Sequence, residues 1–141
     1  MTENGAAEKV FEIPKHGEFC WTEIATDDAQ ACRTFYAEVF GWQFKNSDAT
    51  GRDLEYLEFG TDAGHQFGGL FQMNPAWYGG EMPKPHANIY VAVTDVDAAA
   101  GKAVALGGTV LGEPMDVPNV GRMSEIKDPT GARIFIITLR G

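Results

Sequence analysis

Apolar and polar positions follow two different periods along the chain. Residues 19–25 are mostly apolar and short enough for one buried strand. From Ala29 to Phe40 the apolar residues recur at spacings of three and four, which predicts a helix with one apolar stripe. Asp27 and Gln30 have the spacing of a capping box at its start, and Gly41 suits the left-handed residue at its end. The chain therefore begins with a strand followed by a helix.

The same order of patterns occurs twice. Strand-like runs at 42–45, 54–59 and 67–73 complete a βαβββ unit. The second half shows a strand at 89–93, a helical stripe from Val96 that ends at Gly107-Gly108, and strands at 109–111, 122–127 and 132–139. Thr94 and Asp97 have capping-box spacing, and Asp128-Pro129-Thr130-Gly131 has the residues of a type I turn.

The two halves align at an offset of 68 residues, which places Ile24-Ala25-Thr26-Asp27 on Ala92-Val93-Thr94-Asp95. We interpret this as an internal duplication. The predicted fold class is α+β: two βαβββ modules in one domain, with curved mixed sheets that form a cup. The modules are predicted at 15–74 and 86–141, joined by a Pro/Gly-rich linker at 75–85, with a mobile tail at 1–14.

Composition narrows the class of protein. With 141 residues, 44% hydrophobic and 22% charged, the chain is long enough for one globular domain. A net charge of −9 argues against a nucleic-acid or anionic-membrane partner, which needs a basic face. A signal peptide and a membrane span are not evident in the sequence, so we expect a cytoplasmic protein whose two cysteines are reduced.

Several segments together resemble a known family. The run CWTEIATDDAQACRTFYAEVFGW, the segment VTDVDAAAGKAVALGGTV and the ending DPTGARIFI are similar to the vicinal oxygen chelate superfamily, over residues 17–140. That superfamily includes glyoxalase I, extradiol dioxygenases, fosfomycin-modifying enzymes and bleomycin-binding proteins. The resemblance implies a cup-shaped sheet from each module, a pocket inside the cup, and a homodimer.

The resemblance also implies where a metal would bind, on the first and last strands of each module. Those positions fall on Cys20, Phe71, Asn88 and Phe135, with Leu70 or Gln72 as alternatives to Phe71. Aromatic rings are not metal ligands, and one thiol with one amide is too small a donor set for a divalent ion. We therefore predict no cofactor and no metal at these positions.

Side chains that point into the cups are predicted to bind an apolar or aromatic small molecule. They are Cys20, Thr22, Tyr56, Phe71, Met73, Asn88, Tyr90, Met123 and Phe135. Within this set, Thr22, Asn88 and Tyr90 supply hydrogen bonds. Trp77 and Tyr78 in the linker are expected to arch over the mouth of the pocket.

Three further features of the sequence bear on other kinds of chemistry. Cys20 with His65 or His86 as base is a possible nucleophile, but a pocket-lining thiol is the favoured interpretation. Strand alternation places Glu23 on the helix side, where a salt bridge to Arg33 is favoured over a catalytic role. Gly68-Gly69 lacks the spacing of a phosphate-binding loop, so nucleotide binding has no support.

Three functional hypotheses follow. The leading one is a glyoxalase- or bleomycin-resistance-like protein that binds a small molecule without a metal; whether it is an enzyme stays open. The second is a glyoxalase-like lyase or dioxygenase whose divalent metal binds at displaced ligands, namely His65, His86, Glu23 or Glu125. The third is a non-catalytic interaction protein whose cups are filled by Phe71, Phe135 and methionines.

Overall fold

The computed structural model describes residues 14–47, 56–62 and 64–140. The predicted tail, apart from Pro14, and the first two residues of the predicted strand at 54–59 lie outside the described residues. The strands are β1 (Phe19–Thr26), β2 (Gln43–Asn46), β3 (Tyr56–Asp62), β4 (His65–Gln72), β5 (His86–Ala92), β6 (Thr109–Val117), β7 (Gly121–Lys127) and β8 (Arg133–Leu139). The helices are α1 (Ala29–Phe40) and α2 (Val96–Ala105), and a short 3₁₀ helix spans Pro75–Tyr78.

The strands form one eight-stranded mixed sheet whose order is the same when either half is traced outward from the centre. That order is β2-β3-β4-β1-β5-β8-β7-β6. Within each half the first strand lies parallel to the last, as β1 does to β4 and β5 to β8. The halves meet where β1 pairs with β5 in antiparallel register. The predicted pair of βαβββ units is therefore confirmed, and the two sheets are joined edge to edge.

Both helices begin one residue later than their predicted capping boxes. The cap of α1 is Asp28, whose carboxylate accepts a hydrogen bond from the Ala31 N–H at 3.1 Å. The cap of α2 is Asp95, which accepts from the Ala98 N–H at 3.1 Å. The predicted caps were wrong because an aspartate caps without the reciprocal side chain of a capping box. The two caps are equivalent, so the duplication has an offset of 67 rather than 68 there.

The predicted end of α1 at Gly41 and the predicted turn at 128–131 are both found in the structure. Gly41 is left-handed, with φ of 74°, and its N–H donates to the Ala37 carbonyl at 2.9 Å. In the turn between β7 and β8, Asp128 Oδ1 accepts from the Thr130 N–H at 2.8 Å and from the Ala132 N–H at 3.1 Å. The hydrogen bonds that Asp128 accepts, first from Thr130 and then from Ala132, lower the pKa of its carboxyl group below the ordinary value.

Strand lengths differ most from the prediction in β6, which continues past residue 111 to Val117. Gly112 and Pro114 made this segment look broken, but β6 lies at the edge of the sheet. An edge strand tolerates proline, and the pairing with β7 shifts register around Gly112. Similarly, β5 begins at His86 because it pairs with Ala25 of β1.

Two apolar clusters hold the helices on one face of the sheet. Leu57, Phe59 and Leu70 form the first cluster, against which Ile24 of β1 and Cys32 of α1 pack. In the second half, the cluster is formed by Val96 and Ala100 of α2 with Ile136 of β8. Because side chains alternate along a strand, the opposite face of the sheet is left for a site. Neither helix in the described part of the chain is long and apolar enough to cross a bilayer.

Candidate functional site

A wide cleft of about 2160 Å³ runs along the face of the sheet opposite the helices. Both halves contribute to its wall: Trp21, Glu23, Tyr56, Glu58 and Phe71 come from the first half, and Asn88, Tyr90, Met123, Glu125, Phe135 and Ile137 from the second. The 3₁₀ helix adds Trp77 and Tyr78 to the lining of the cleft. The wall is therefore largely aromatic and apolar, with acidic groups inserted into it.

A bulge in β1 decides which of its side chains enter the cleft. Phe19 pairs with Val91 and Trp21 with Tyr90, so the bulge inserts one extra residue, Cys20. Beyond it, Trp21 and Glu23 point into the cleft, and the side that Thr22 shares with Ile24 packs against the helix. The predicted placement of Thr22 in the pocket and of Glu23 under the helix was wrong, because simple alternation was extended from Cys20 across the bulge.

Glu23 lies at the centre of a hydrogen-bond network on the cleft floor, with 8% of its surface exposed. Its Oε2 accepts from the Tyr56 hydroxyl at 2.8 Å. Its Oε1 accepts from the Tyr90 hydroxyl at 3.0 Å and from Asn88 Nδ2 at 3.3 Å. The Tyr56 oxygen in turn accepts from Trp21 Nε1 at 2.8 Å. The predicted Glu23–Arg33 pair was wrong, since the Arg33 guanidinium lies 6.0 Å from the centre of the Phe44 ring.

Burial is the main influence on the protonation of this network. Loss of solvent raises the pKa of Glu23, while the hydrogen bonds from Tyr56, Tyr90 and Asn88 oppose that rise. The pKa values of both tyrosines are also raised, by burial first and by the neighbouring Glu23 second. Both hydroxyls therefore keep their protons at neutral pH and act as donors toward Glu23.

Asn88 carries a buried acceptor without a protein partner. Its Nδ2 must face Glu23, because turning the amide over would set an oxygen against a carboxylate. That orientation leaves Asn88 Oδ1 buried, and no described protein group donates to it. Such an orphaned acceptor is unusual in a folded protein and costs free energy unless a donor reaches it.

Gly69 makes the network possible. It pairs with both Glu23 of β1 and Glu58 of β3. A Cβ atom at Gly69 would overlap the hydroxyl end of Tyr56, so only glycine lets that ring lie across β4 and reach Glu23. The Gly68-Gly69 pair thus serves close packing.

Stacked rings form the two sides of the cleft. Tyr56 and Phe71 lie parallel with ring centres 6.2 Å apart, and Trp77 extends this side with its ring centre 6.1 Å from that of Phe71. On the other side Tyr90 and Phe135 stack at 4.7 Å. This spacing is favourable for aromatic pairs and presents ring faces to a ligand.

Seven of the nine predicted binding residues line the cleft: Cys20, Tyr56, Phe71, Asn88, Tyr90, Met123 and Phe135. Thr22 and Met73 are outside its wall; Met73 is buried, and its N–H donates to the Thr26 carbonyl. Trp21 and Glu23 belong to the site and were missing from the predicted set. The signal for them was a tryptophan and a carboxylate two apart in a central strand, which alternation places on one face.

Strand register shows which residues of the two halves are equivalent. Glu23 pairs with Gly69 as Tyr90 pairs with Phe135, so Phe135 corresponds to Gly69 rather than to Phe71. Asn88, two residues before Tyr90, corresponds to Trp21 rather than to Cys20. The superfamily's metal positions, in either assignment, therefore offer at most an amide and a thiol, and do not fit a divalent ion. Among residues 14–47, 56–62 and 64–140, His, Cys, Asp and Glu form no group of three that could hold a metal ion.

The remaining candidate groups have partners of their own or lack activation. Burial raises the pKa of the Cys20 thiol, which disfavours the thiolate that a nucleophile requires. His86 Nδ1 lies 2.6 Å from the Lys84 carbonyl. Glu125 forms an ion pair with Arg133 on the cleft wall. The network around Glu23 is therefore the best-organised polar feature of the cleft.

The comparisons with known proteins agree with this architecture. The model of the Glyoxalase/Bleomycin resistance protein/Dioxygenase superfamily matches residues 19–136. The chain belongs to this superfamily. The resemblance inferred from the sequence motifs is therefore confirmed.

Among curated relatives, "Putative glyoxylase CFP32" of Mycobacterium tuberculosis is 36% identical over 127 residues, covering 86% of this chain and 48% of the relative. Anthracycline biosynthesis protein DnrV of Streptomyces peucetius is 31% identical over 137 residues, covering 88% of this chain and 42% of the relative. The chain thus spans about half the length of the curated relatives it matches.

Solved structures share the fold at low sequence identity. A Streptomyces coelicolor methylmalonyl-CoA epimerase in complex with 2-nitronate-propionyl-CoA has a TM-score of 0.63 at 18% identity, covering 90% of this chain and all of that one. The Mn(II)-bound glyoxalase of Novosphingobium aromaticivorans has a TM-score of 0.57 at 20% identity, covering 89% of this chain and 40% of that one.

Proposed function

We propose that this protein binds an apolar or aromatic metabolite or drug in the cleft, as a metal-independent member of the glyoxalase and bleomycin-resistance superfamily. The observation that carries the proposal is an open cleft with ring stacks on two sides and a hydrogen-bonded carboxylate on its floor. Apolar walls with a few oriented polar groups are typical of small-molecule sites. The donor set at the superfamily's metal positions supports metal independence, and cytoplasmic location remains a prediction from the sequence.

The stacking partners of Phe71 and Phe135 weigh against the filled-cup hypothesis. Phe71 stacks on Tyr56 and Phe135 stacks on Tyr90, so each ring lies along its own side of the cleft. A planar ligand between the two sides would contact ring faces while its edge reached the floor. Binding would then gain apolar burial and a directional hydrogen bond together.

A thermal-shift screen of planar aromatic metabolites, antibiotics and aldehyde–thiol adducts tests this proposal. A compound at a hundred times its Kd adds about 2.7 kcal/mol to the free energy of unfolding. The shift should disappear in Phe135→Ala, which removes one wall, and persist in Phe35→Ala, whose ring is 57% exposed on α1 outside the cleft. If none of these compounds shifts the unfolding temperature, binding of a planar small molecule is excluded as the function.

Elemental analysis separates the metal-dependent alternative. Protein purified without chelator should contain no stoichiometric transition metal. One metal ion per chain, lost on substitution of Glu23, His65, His86 or Glu125, would replace the proposal with a lyase or dioxygenase that uses displaced ligands.

We further propose that the chain forms a homodimer. Phe19, Leu111 and Met115 lie along the cleft wall with 71%, 44% and 42% of their surfaces exposed. Large apolar side chains exposed along one cleft wall favour a protein interface. Light scattering should give twice the chain mass of 15.3 kDa. A monomer at micromolar concentration would contradict the dimer.

A further inference from the structure

With Glu23 ionised, the hydrogen-bond network on the cleft floor holds acceptors and no spare donor for a ligand. Glu23 supplies carboxylate oxygens, and Asn88 Oδ1 supplies a second acceptor beside them. The donors at the floor are already used, because the Tyr56 and Tyr90 hydroxyls and Asn88 Nδ2 all point at Glu23. A carboxylate or carbonyl brought to this floor would meet only acceptors, and a group with N–H donors would complement it.

Among the described residues, Glu23 forms no ion pair with a cation. In the described part of the chain the ion pairs are Arg122 with Asp97 and Asp116, and Arg133 with Glu125. Lys84 and Arg140 border the cleft but are exposed. Burial raises the pKa of Glu23, and apart from its hydrogen-bond donors only the nearby His86 opposes this rise. A bound cation would favour the charged form of this carboxylate.

The rings around Glu23 suit a cation in a second way. Trp21, Tyr56 and Tyr90 hold their polar ends toward the network and form the wall with their rings. A positive charge near aromatic faces is attracted by their electron density, more strongly where water is excluded. The same ring faces would not offset the repulsion between an anionic ligand and the Glu23 carboxylate.

From the acceptor-only floor, the unpaired buried carboxylate and the aromatic walls we infer that the ligand carries a protonated amine on its planar apolar body. The ammonium group would donate to Glu23, and the ring system would lie between the stacks. This inference rests on the proposed function, and it adds the charge and donor pattern of the ligand.

Three probes that share one ring system test the inference by calorimetry at pH 7. They are 2-(1-naphthyl)ethylammonium, 2-(1-naphthyl)ethanol and 1-naphthylacetate. The wild-type protein should bind the ammonium at least about tenfold more tightly than the alcohol, because a charge-assisted hydrogen bond exceeds a neutral one. The acetate should bind most weakly, since it brings a second negative charge to Glu23.

The matched variants are Glu23→Gln and Glu113→Gln, the second on an exposed position of β6 outside the cleft. Glu23→Gln should lose about tenfold or more in ammonium affinity and keep the alcohol affinity, while Glu113→Gln should match wild type. Circular dichroism establishes that each variant is folded. If Glu23→Gln does not fold, the order of the three probes on wild type still decides the question.

The outcomes distinguish the two proposals. Equal affinity for ammonium and alcohol on wild type, or an equal loss of both in Glu23→Gln, overturns the protonated-amine inference and leaves the planar-ligand proposal standing. Failure of all three probes to bind overturns the inference for this ring class, and the wider thermal-shift screen then decides the proposed function.

Discussion

The two halves of the molecule share one backbone frame and place different side chains at equivalent positions of the cleft wall. Glu23 of the first half corresponds to Tyr90 of the second, and Gly69 corresponds to Phe135. Where the first half has glycine, Tyr56 folds across the strand to reach Glu23. Where the second half has phenylalanine, the ring fills that space and stacks on Tyr90. The absence of one side chain at Gly69 thus lets the first half direct a tyrosine hydroxyl at Glu23, and the equivalent position of the second half carries a ring.

The next pair of strands shows the same contrast. Tyr56 and Glu58 of β3 correspond to Met123 and Glu125 of β7, since their partners on β4 and β8 are equivalent. Both glutamates line the cleft, but Glu125 is paired with Arg133. The duplicated frame therefore fixes where a side chain points, and its chemistry is chosen separately in each half.

The largest expected effect comes from removing the ring that fills the second half. Phe135→Ala should lower the free energy of unfolding by about 3 kcal/mol, at the low end of the range for phenylalanine, because the half-buried ring loses its stack on Tyr90. Chemical denaturation measures this loss. Phe35→Ala, with its ring 57% exposed on α1 outside the cleft, is the matched control and should change little. Equal effects of the two substitutions would contradict the packing role of Phe135.

Adding a methyl group at Gly69 in the first half should lower the free energy of unfolding by a smaller amount. Gly69→Ala should destabilise by about 2 kcal/mol, because the new methyl group displaces the Tyr56 hydroxyl from Glu23. Gly112→Ala is the control, since a Cβ there lies 3.8 Å from Glu125 Cβ, an ordinary contact. Denaturation together with the NMR signal of the Trp21 indole N–H measures the effect. An unshifted indole signal in Gly69→Ala would refute this role of Gly69.

The two tyrosines should differ although both donate to Glu23. Tyr56→Phe should cost about 2 kcal/mol, because it removes a donor to a carboxylate and also leaves Trp21 Nε1 without its acceptor. Tyr90→Phe removes one donor only and should cost about 1 kcal/mol. Denaturation midpoints of the two variants measure the difference. A costlier Tyr90→Phe would mean that the network is centred on the second half.

The pH dependence of stability reports on Glu23 directly. Because its pKa is raised above the ordinary value of 4.5, the folded protein holds this proton to higher pH than the unfolded chain. Stability relative to Glu23→Gln should therefore fall as pH rises from about 4.5 through the raised pKa, by at most about 1.4 kcal/mol per pH unit. Urea unfolding between pH 4 and 8 measures the slope. A difference that stays constant or grows with pH contradicts the burial of this carboxylate.

The smallest effect is expected for the pair that the structure does not form. Arg33→Ala should change the free energy of unfolding by less than about 0.5 kcal/mol and leave the pH dependence of Glu23 intact, because Arg33 lies over the exposed side of Phe44. The same pH series, run on this variant, measures both. A changed pH dependence would restore the salt bridge to Glu23.

Much of the site was predictable where periodicity was regular. Phe71, Asn88, Tyr90 and Phe135 lie on strands whose alternation is unbroken near them, and all four line the cleft as expected. The prediction that Met73 lines the cleft was wrong for a different reason. Met73 follows the last residue of β4, where strand alternation no longer applies. Position beyond a strand end depends on the neighbouring elements that bury it.

The failure in β1 came from one inserted residue. A bulge at Cys20 reverses the face of every residue after it, so Thr22 and Glu23 exchanged their predicted sides. Bulges depend on how a strand pairs with its partner, and the partner's register is not visible in the strand's own sequence. The bulge thus turns Glu23, the centre of the hydrogen-bond network, into the cleft.

By itself the sequence determined the duplicated βαβββ order, the helix stops at glycine and the family, because these depend on local periodicity and on residues with unique backbone freedom. Only the tertiary structure decided that Glu23 faces the cleft, that Gly69 admits the Tyr56 ring, and that Asn88 keeps an acceptor free of protein donors. Those facts depend on register between strands distant in sequence, where a shift of one residue turns each side chain to the opposite face.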